Sequence, residues 1–375
     1  MNKVKGEILS NITKLNVKVF THNDLDGISC AIVFKKLYDT NYISFDFEFI
    51  SYNDYDKIKE FMDFENGSMR LYDYVFFTDL NFTKETFNKY IELPLQDFRS
   101  DVNGPNPKKL NSLFKKIFII DHHKDSEEAI RPKENRIFNF IEYYNDMTHC
   151  ASLQLYDWCI NTRSSLWTEK TIGMYKEFIN TNKLWLESYL KHVNDWDLFH
   201  WKENGNMIAL DLNLLFSHMR REKFIMMQIQ KSNVFEFVFN KSESSIIKEI
   251  HYEIEKQIQY AKKCSCLMEY KDSYGDYHPN FNYLVIKCDD NVSLICDRIK
   301  DDILRENNPY NIVYIANVSF KYNSINLRRI DETLDLSKLA NHYNGGGHPF
   351  AAGFTLDVNN PEIMQDFVYP ALSRR

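Results

Sequence analysis

The segment His22-Asn23-Asp24-Leu25-Asp26-Gly27 places one imidazole and two carboxylates at alternate positions, directly after the apolar run Val17 to Thr21. Side chains two residues apart in an extended chain point the same way, so an extended segment would send all three to one side. Asp79 follows the apolar run Tyr74 to Thr78, and Asp121-His122-His123 follows Lys116 to Ile120. Hard divalent cations take carboxylate oxygens, and imidazole tilts the preference toward Mn²⁺. A solvated turn explains any one of these clusters. Three of them at the ends of three apolar runs point to a shared metal site. Asp195-Trp196-Asp197, after the helical stretch Leu184 to Val193, offers a further carboxylate, and either aspartate is chemically competent. His149, His192, His200, His218 and His251 lie in helical or loop contexts without such convergence and read as structural.

A different chemistry is suggested by Asn344-Gly345-Gly346-Gly347-His348-Pro349-Phe350-Ala351-Ala352-Gly353, which holds four of the chain's 11 glycines in ten residues. Consecutive glycines can turn backbone N–H groups toward an anion because no Cβ intervenes. His348 can donate to a phosphate oxygen, and Arg328 with Arg329 could clamp it further. A flexible turn is the plainer reading of such a run, but a chain so sparing of glycine elsewhere makes it less comfortable.

These residues need elements to hold them. Val17 to Thr21, Phe45 to Ser51, Tyr74 to Thr78 and Lys116 to Ile120 are expected as strands, with another at Arg136 to Ile141. Gly27 to Tyr38, Tyr55 to Phe64 and Lys84 to Ile91 are expected as helices, with Asp54 and Thr83 as N-caps. The alternation predicts an α/β fold whose N-terminal domain holds a mainly parallel sheet flanked by helices. In such a sheet the carboxyl ends of the strands open onto the ligand crevice, where the acidic clusters stand. Helices at Thr148 to Ile160, Trp185 to Val193 and Met207 to His218 form a helical insertion. Ile246, Ile247, Ile250, Ile254 and Ile258 recur at helical spacing, so a connecting helix is expected over 241–263. Strands at Leu284 to Lys287, Asn311 to Val318, Asn323 to Arg328 and Gly353 to Val358, with helices at Asn291 to Leu304 and Asp335 to Tyr343, make a smaller C-terminal α/β domain. The domain plan is therefore 1–240, the connecting helix 241–263, and 264–375.

Composition narrows the classes. Of 375 residues, 44% are hydrophobic and 15% aromatic, which excludes a disordered chain. No apolar run of 18 residues occurs and the N-terminus lacks a signal-peptide core, so a cytoplasmic protein with no membrane partner is expected. Seven cysteines without CxxC spacing argue against a disulfide framework. A net charge of −7 disfavours non-specific binding to long duplexes. It leaves room for a local phosphate pocket or a site filled by cations.

Taken together, His22-x-Asp24-x-Asp26-Gly27, Asp79, Asp121-His122-His123, Asp195 and the C-terminal Gly345-Gly346-Gly347-His348 motif resemble the DHH phosphoesterase family with its DHH-associated C-terminal domain. The order is kept over nearly the whole chain, and the opening motif with Asp195 to Leu198 is most similar to the NrnB-type nano-RNases, within the superfamily of RecJ-like exonucleases. The resemblance implies two Mn²⁺ ions, with Mg²⁺ or Co²⁺ as substitutes. His22 and Asp24 would hold one, Asp26, His122 and Asp195 the other, and Asp79 would bridge. Asp79, Asp121 and His123 would serve catalysis, with His123 on the scissile phosphate. Arg328, Gly345, Gly346, Gly347 and His348 would hold another phosphate of the substrate. The partners implied are short single-stranded RNA or DNA oligonucleotides, cleaved to mononucleotides, or small nucleotides such as a cyclic dinucleotide or 3′-phosphoadenosine 5′-phosphate. A nucleotide-binding protein without turnover is the reading from another class, and a homodimer is compatible with all of them. The stretch Thr148 to Asn240 maps onto no family motif.

Overall fold

The computed structural model describes residues 14–38, 41–63, 67–95, 116–130, 141–161, 172–231, 235–271 and 277–373. The chain divides into two compact units, Met1–Ser244 and Ser245–Arg375.

In the first unit β1 (Leu15–His22), β2 (Ile43–Ile50), β3 (Tyr74–Thr78), β4 (Lys116–Asp121) and β5 (Ile141–Asn145) form a sheet in the order β2-β1-β3-β4-β5. All four pairings are parallel. A parallel sheet has both faces covered at its centre, which is why β3 and β4 read as apolar runs. On one face Phe20, Phe77, Ile117 and Ile119 pack with residues from α2 (Asp56–Met62), α3 (Lys84–Phe87) and α4 (Lys124–Ile130). On the other, Phe76 stacks on Phe118 with ring centroids 4.6 Å apart. Phe34 of α1 (Leu25–Leu37) meets Phe76 edge-on, and Trp158 of α5 (Ala151–Asn161) meets Phe118. α6 (Ile172–Asp197), α7 (Met207–His218) and α8 (Arg221–Ile229) complete this unit.

Some details depart from expectation. The strand placed at Arg136 to Ile141 falls mostly outside the described residues, and β5 begins where that stretch ends. The expected helix Trp185 to Val193 is the middle of the 26-residue α6, which runs on through Asp197. Thr83 caps α3 through the Thr86 N–H, but the Asp54 carboxylate turns back to the Ser51 N–H and hydroxyl and caps nothing.

α9 (Lys241–Lys263) begins in the first unit and ends in the second, with Ile247, Ile250, Ile254 and Ile258 buried along one stripe. The second unit then carries β6 (Cys266–Lys271), β7 (Tyr277–Lys287), α10 (Val292–Arg305), β8 (Ile312–Ser319), β9 (Ser324–Arg329), α11 (Leu336–His342), β10 (Gly346–His348) and β11 (Ala351–Thr355). Its sheet runs β10-β11-β9-β8-β7-β6, with β7 and β8 parallel and the other pairs antiparallel. The edge strand β6 was not foreseen. Glu269 and Lys271 give it the mixed polarity of an edge rather than an apolar run.

Candidate metal centre

A sheet ordered 2-1-3-4-5 has its topological switch point between β1 and β3, and ligands bind at the carboxyl ends of strands there. Thr21, Thr78 and Ile120 are paired across β1, β3 and β4, so the residues that follow, His22, Asp79 and Asp121, leave the sheet side by side. Asp79 turns with φ of 56°, a left-handed conformation, while its N–H still bonds the Ile120 carbonyl. An aspartate tolerates that region better than most residues, at a cost of about 1–3 kcal/mol.

The side chains converge. His22 Nδ1 lies 2.8 Å from Asp24 Oδ2 and 3.9 Å from Asp79 Oδ2. His122 Nε2 lies 3.4 Å from Asp79 Oδ1 and 3.2 Å from Asp197 Oδ2. The ligand atoms fall into three overlapping sets, each within 4.8 Å: His22, Asp24 and Asp79; Asp26, His122 and Asp197; and Asp79, Asp121, His122 and His123. Asp79 belongs to two of them. These residues fit divalent cations, because Asp79 Oδ2, Asp121 Oδ2 and Asp197 Oδ2 are buried with no hydrogen-bond partner. Buried carboxylate oxygens without a donor are costly unless a positive charge offsets them.

The electrostatics agree. Burial, reinforced by Asp24, Asp26 and Asp197, pushes the Asp79 carboxyl well above the usual range. Burial, with Asp26, Asp24 and Asp121, does the same to Asp197. So much negative charge in so small a volume calls for cations. Asp24 is the exception: burial raises it, but His22 and the Gly27 N–H outweigh that and hold it at about 2. The two histidines diverge. Burial holds His122 below its ordinary value despite the carboxylates around it, which favours the neutral imidazole a metal needs. Burial also pulls on His123, but the hydrogen bond and charge of Asp121 prevail and keep it raised. Its Nδ1 sits 2.7 Å from Asp121 Oδ1, leaving Nε2 as the nitrogen that can meet an anion.

The alternation reading of positions 22, 24 and 26 does not hold in its details. β1 ends at His22, Asp24 caps α1 by accepting the Gly27 N–H at 2.9 Å, and Asp26 sits in the first helical turn. Asp26 is buried and accepts the N–H groups of Ala151 (2.7 Å) and Ser152 (3.0 Å) together with the Ser152 hydroxyl. It thus caps α5 from more than a hundred residues away. Each carboxylate oxygen has two lone pairs, so these bonds leave room for a cation. Gly27 is dictated by sterics, since a Cβ there would lie 2.2 Å from the His22 carbonyl oxygen.

Asp195, expected as a ligand, is engaged elsewhere. Its oxygens accept from Asn204 Nδ2 (3.1 Å) and Asn206 Nδ2 (2.7 Å), pinning the loop after α6, while Asp197 faces His122. Residues two apart on a helix point roughly 200° apart, so only one of the two can face the site. The spacing of the buried Leu186, Leu190 and Val193 continues to position 197, a phase signal available in the sequence once the helix is extended that far.

In the second unit a cavity of about 270 Å³ is lined by Ser293 and Cys296 of α10, Asn326 and Arg328 of β9, and Gly346 and Gly347 of β10. Gly345 and His348 do not line it. The His348 ring is exposed and lies parallel to Phe350 at 5.4 Å. Arg328 Nε is 3.1 Å from Asp297 Oδ1. Gly347 has φ of 135°, and a Cβ there would meet Ala352 Cα at 2.6 Å, so the hairpin requires it. A Cβ on Gly346 would meet nothing within 4 Å. The fold does not demand glycine at that position.

No family model matches the chain. It is similar to the oligoribonuclease NrnB of Bacillus subtilis (strain 168), 26% identical over 362 residues that cover 94% of this chain and 75% of the relative. Among solved structures it is similar to the pGpG-specific phosphodiesterase PggH of a Vibrio species, with 11% identity, a TM-score of 0.44, and coverage of 96% of this chain and 100% of the other. A structure of RecJ with Mn²⁺ from Thermus thermophilus matches at 12% identity and a TM-score of 0.44, covering 99% of this chain and 54% of the other.

Proposed function

We infer that this protein, which resembles the DHH phosphoesterases over nearly its full length, is a two-metal phosphodiesterase that shortens small oligonucleotides to mononucleotides. The observation that carries the reading is the set of buried, unpartnered carboxylate oxygens on Asp79, Asp121 and Asp197 at the switch point of the sheet. His22, Asp24 and Asp79 would hold one Mn²⁺, and Asp26, His122 and Asp197 the other, with Asp79 shared. Bound divalent cations supply positive charge to the scissile phosphate and lower the pKa of water.

The residues do the rest. His122, which burial shifts toward the neutral form, offers Nε2 as a ligand, and Asp26 fixes the start of α5 while facing the same site. Asp121 orients His123 through Nδ1 and favours its protonated form, in which Nε2–H can donate to a phosphate oxygen. In the second unit Arg328 and the Gly346-Gly347 backbone offer positive charge and N–H groups suited to a phosphate. A site that engages few phosphates suits a chain of net charge −7.

Incubation with 5′-labelled di- to pentanucleotides and Mn²⁺ tests this. Mononucleotide release by the wild type, lost in Asp79→Ala, is expected. No release with Mn²⁺, Mg²⁺ or Co²⁺ would refute it, and preferential turnover of a cyclic dinucleotide or of 3′-phosphoadenosine 5′-phosphate in the same panel would reassign the substrate.

A further inference from the structure

Tyr52 stands two residues beyond the end of β2, and its ring lies over the His22 imidazole with centroids 4.6 Å apart and planes 25° apart. Ile50 pairs with His22 across the sheet, so the chain leaving β2 passes directly beside the end of β1. Tyr52 is 49% exposed although its ring packs on a member of the carboxylate and histidine cluster. Among the described residues its hydroxyl has no hydrogen-bond partner. Tyr55, three residues on, packs edge-on against Tyr52 and spends its own hydroxyl on the Asn81 carbonyl. The two tyrosines are therefore differently employed: one is anchored, and the other offers a free donor at the edge of the site.

We propose that Tyr52 is a substrate-contacting residue of this centre, its ring fixing the plane of His22 and its phenol donating a hydrogen bond to a non-bridging oxygen of the phosphate. The proposal rests on the phosphodiesterase reading above. A phenol is protonated at neutral pH in any case. Here burial and the charges of Asp79, Asp24, Asp121 and Asp197 raise it further, which also places the group within the field of the carboxylates. An oriented donor beside a phosphate gains strength as charge grows on the oxygens in the transition state, and loss of one such donor costs on the order of 100-fold in other sites. Ring stacking is a separate contribution, which holds the imidazole in one rotamer.

Two variants separate the ring from the hydroxyl. In Tyr52→Phe, Mn²⁺ binding by calorimetry and the thermal midpoint should match the wild type. Its kcat on bis(p-nitrophenyl) phosphate and on a trinucleotide should fall at least tenfold, with KM changed less than threefold. Tyr52→Leu should in addition weaken Mn²⁺ binding severalfold, because His22 loses its support. A Phe variant within twofold of wild-type kcat would overturn the proposal, as would a Phe variant that loses Mn²⁺. Should the wild type bind Mn²⁺ yet hydrolyse neither substrate, the phosphodiesterase reading fails by itself. The Tyr52 contact is then read from the affinity of the Mn²⁺-loaded protein for inorganic phosphate: a severalfold loss in Tyr52→Phe supports it, and equal affinity refutes it.

Discussion

At the residue scale, the site sorts its aspartates by what their oxygens already hold. Each Asp195 oxygen accepts from an asparagine amide, whereas Asp197 has a buried oxygen with no donor. Asp195→Ala should therefore lower stability by about 1–3 kcal/mol, from the loss of two hydrogen bonds to a charged acceptor, while Mn²⁺ binding persists. Asp197→Ala should remove at least one Mn²⁺ and the activity with little loss of stability, and denaturant melts beside calorimetry check both. Gly346 gives a complementary case. With open space around a built Cβ, Gly346→Ala should leave the thermal midpoint within about a degree, yet raise KM for a trinucleotide severalfold by intruding on the cavity. Gly347→Ala, at positive φ and against the Ala352 backbone, should destabilise the hairpin itself.

At the element scale, much was legible because a parallel sheet writes itself as apolar runs. Val17 to Thr21, Tyr74 to Thr78 and Lys116 to Ile120 ended where the strands end, within a residue. What could not be read was side-chain direction at the exits. The left-handed turn at Asp79 and the cap that Asp26 gives to α5 depend on tertiary neighbours, and the choice between Asp195 and Asp197 depended on α6 extending past Val193. The ring of Tyr52 over His22 is set by the β1–β2 register, which no local pattern reveals. Element packing also makes a pH prediction. Lys36, in the last turn of α1, is buried with its Nζ 4.1 Å from the Trp185 ring centroid, and burial, with Lys231 nearby, lowers it to about 8. Because its folded value lies below its unfolded one, the penalty is full below about pH 8 and is relieved as pH rises toward about 10.4. Stability of the wild type relative to Lys36→Met should thus rise between pH 8 and pH 10. A flat difference across that range in thermal melts would contradict it.

At the scale of the whole molecule, net charge and local chemistry point the same way. A net charge of −7 disfavours holding nucleic acid through a broadly basic surface, so the proposed function calls for few contacts, confined to the site. With two or three phosphates engaged, log KM for a trinucleotide should change with log salt by a slope of roughly 1.4 to 2.1, from about 0.7 per single-strand phosphate. A slope near five would indicate an extended binding track. No helix among the described residues is long and apolar enough to cross a membrane.

Mn²⁺ binding by the full chain, measured by calorimetry, tests the two-metal centre most directly. Two ions per chain are predicted for the wild type and for Asp195→Ala, with at least one lost in Asp197→Ala. Fewer than two ions in the wild type, or loss in Asp195→Ala with Asp197→Ala unaffected, would contradict it.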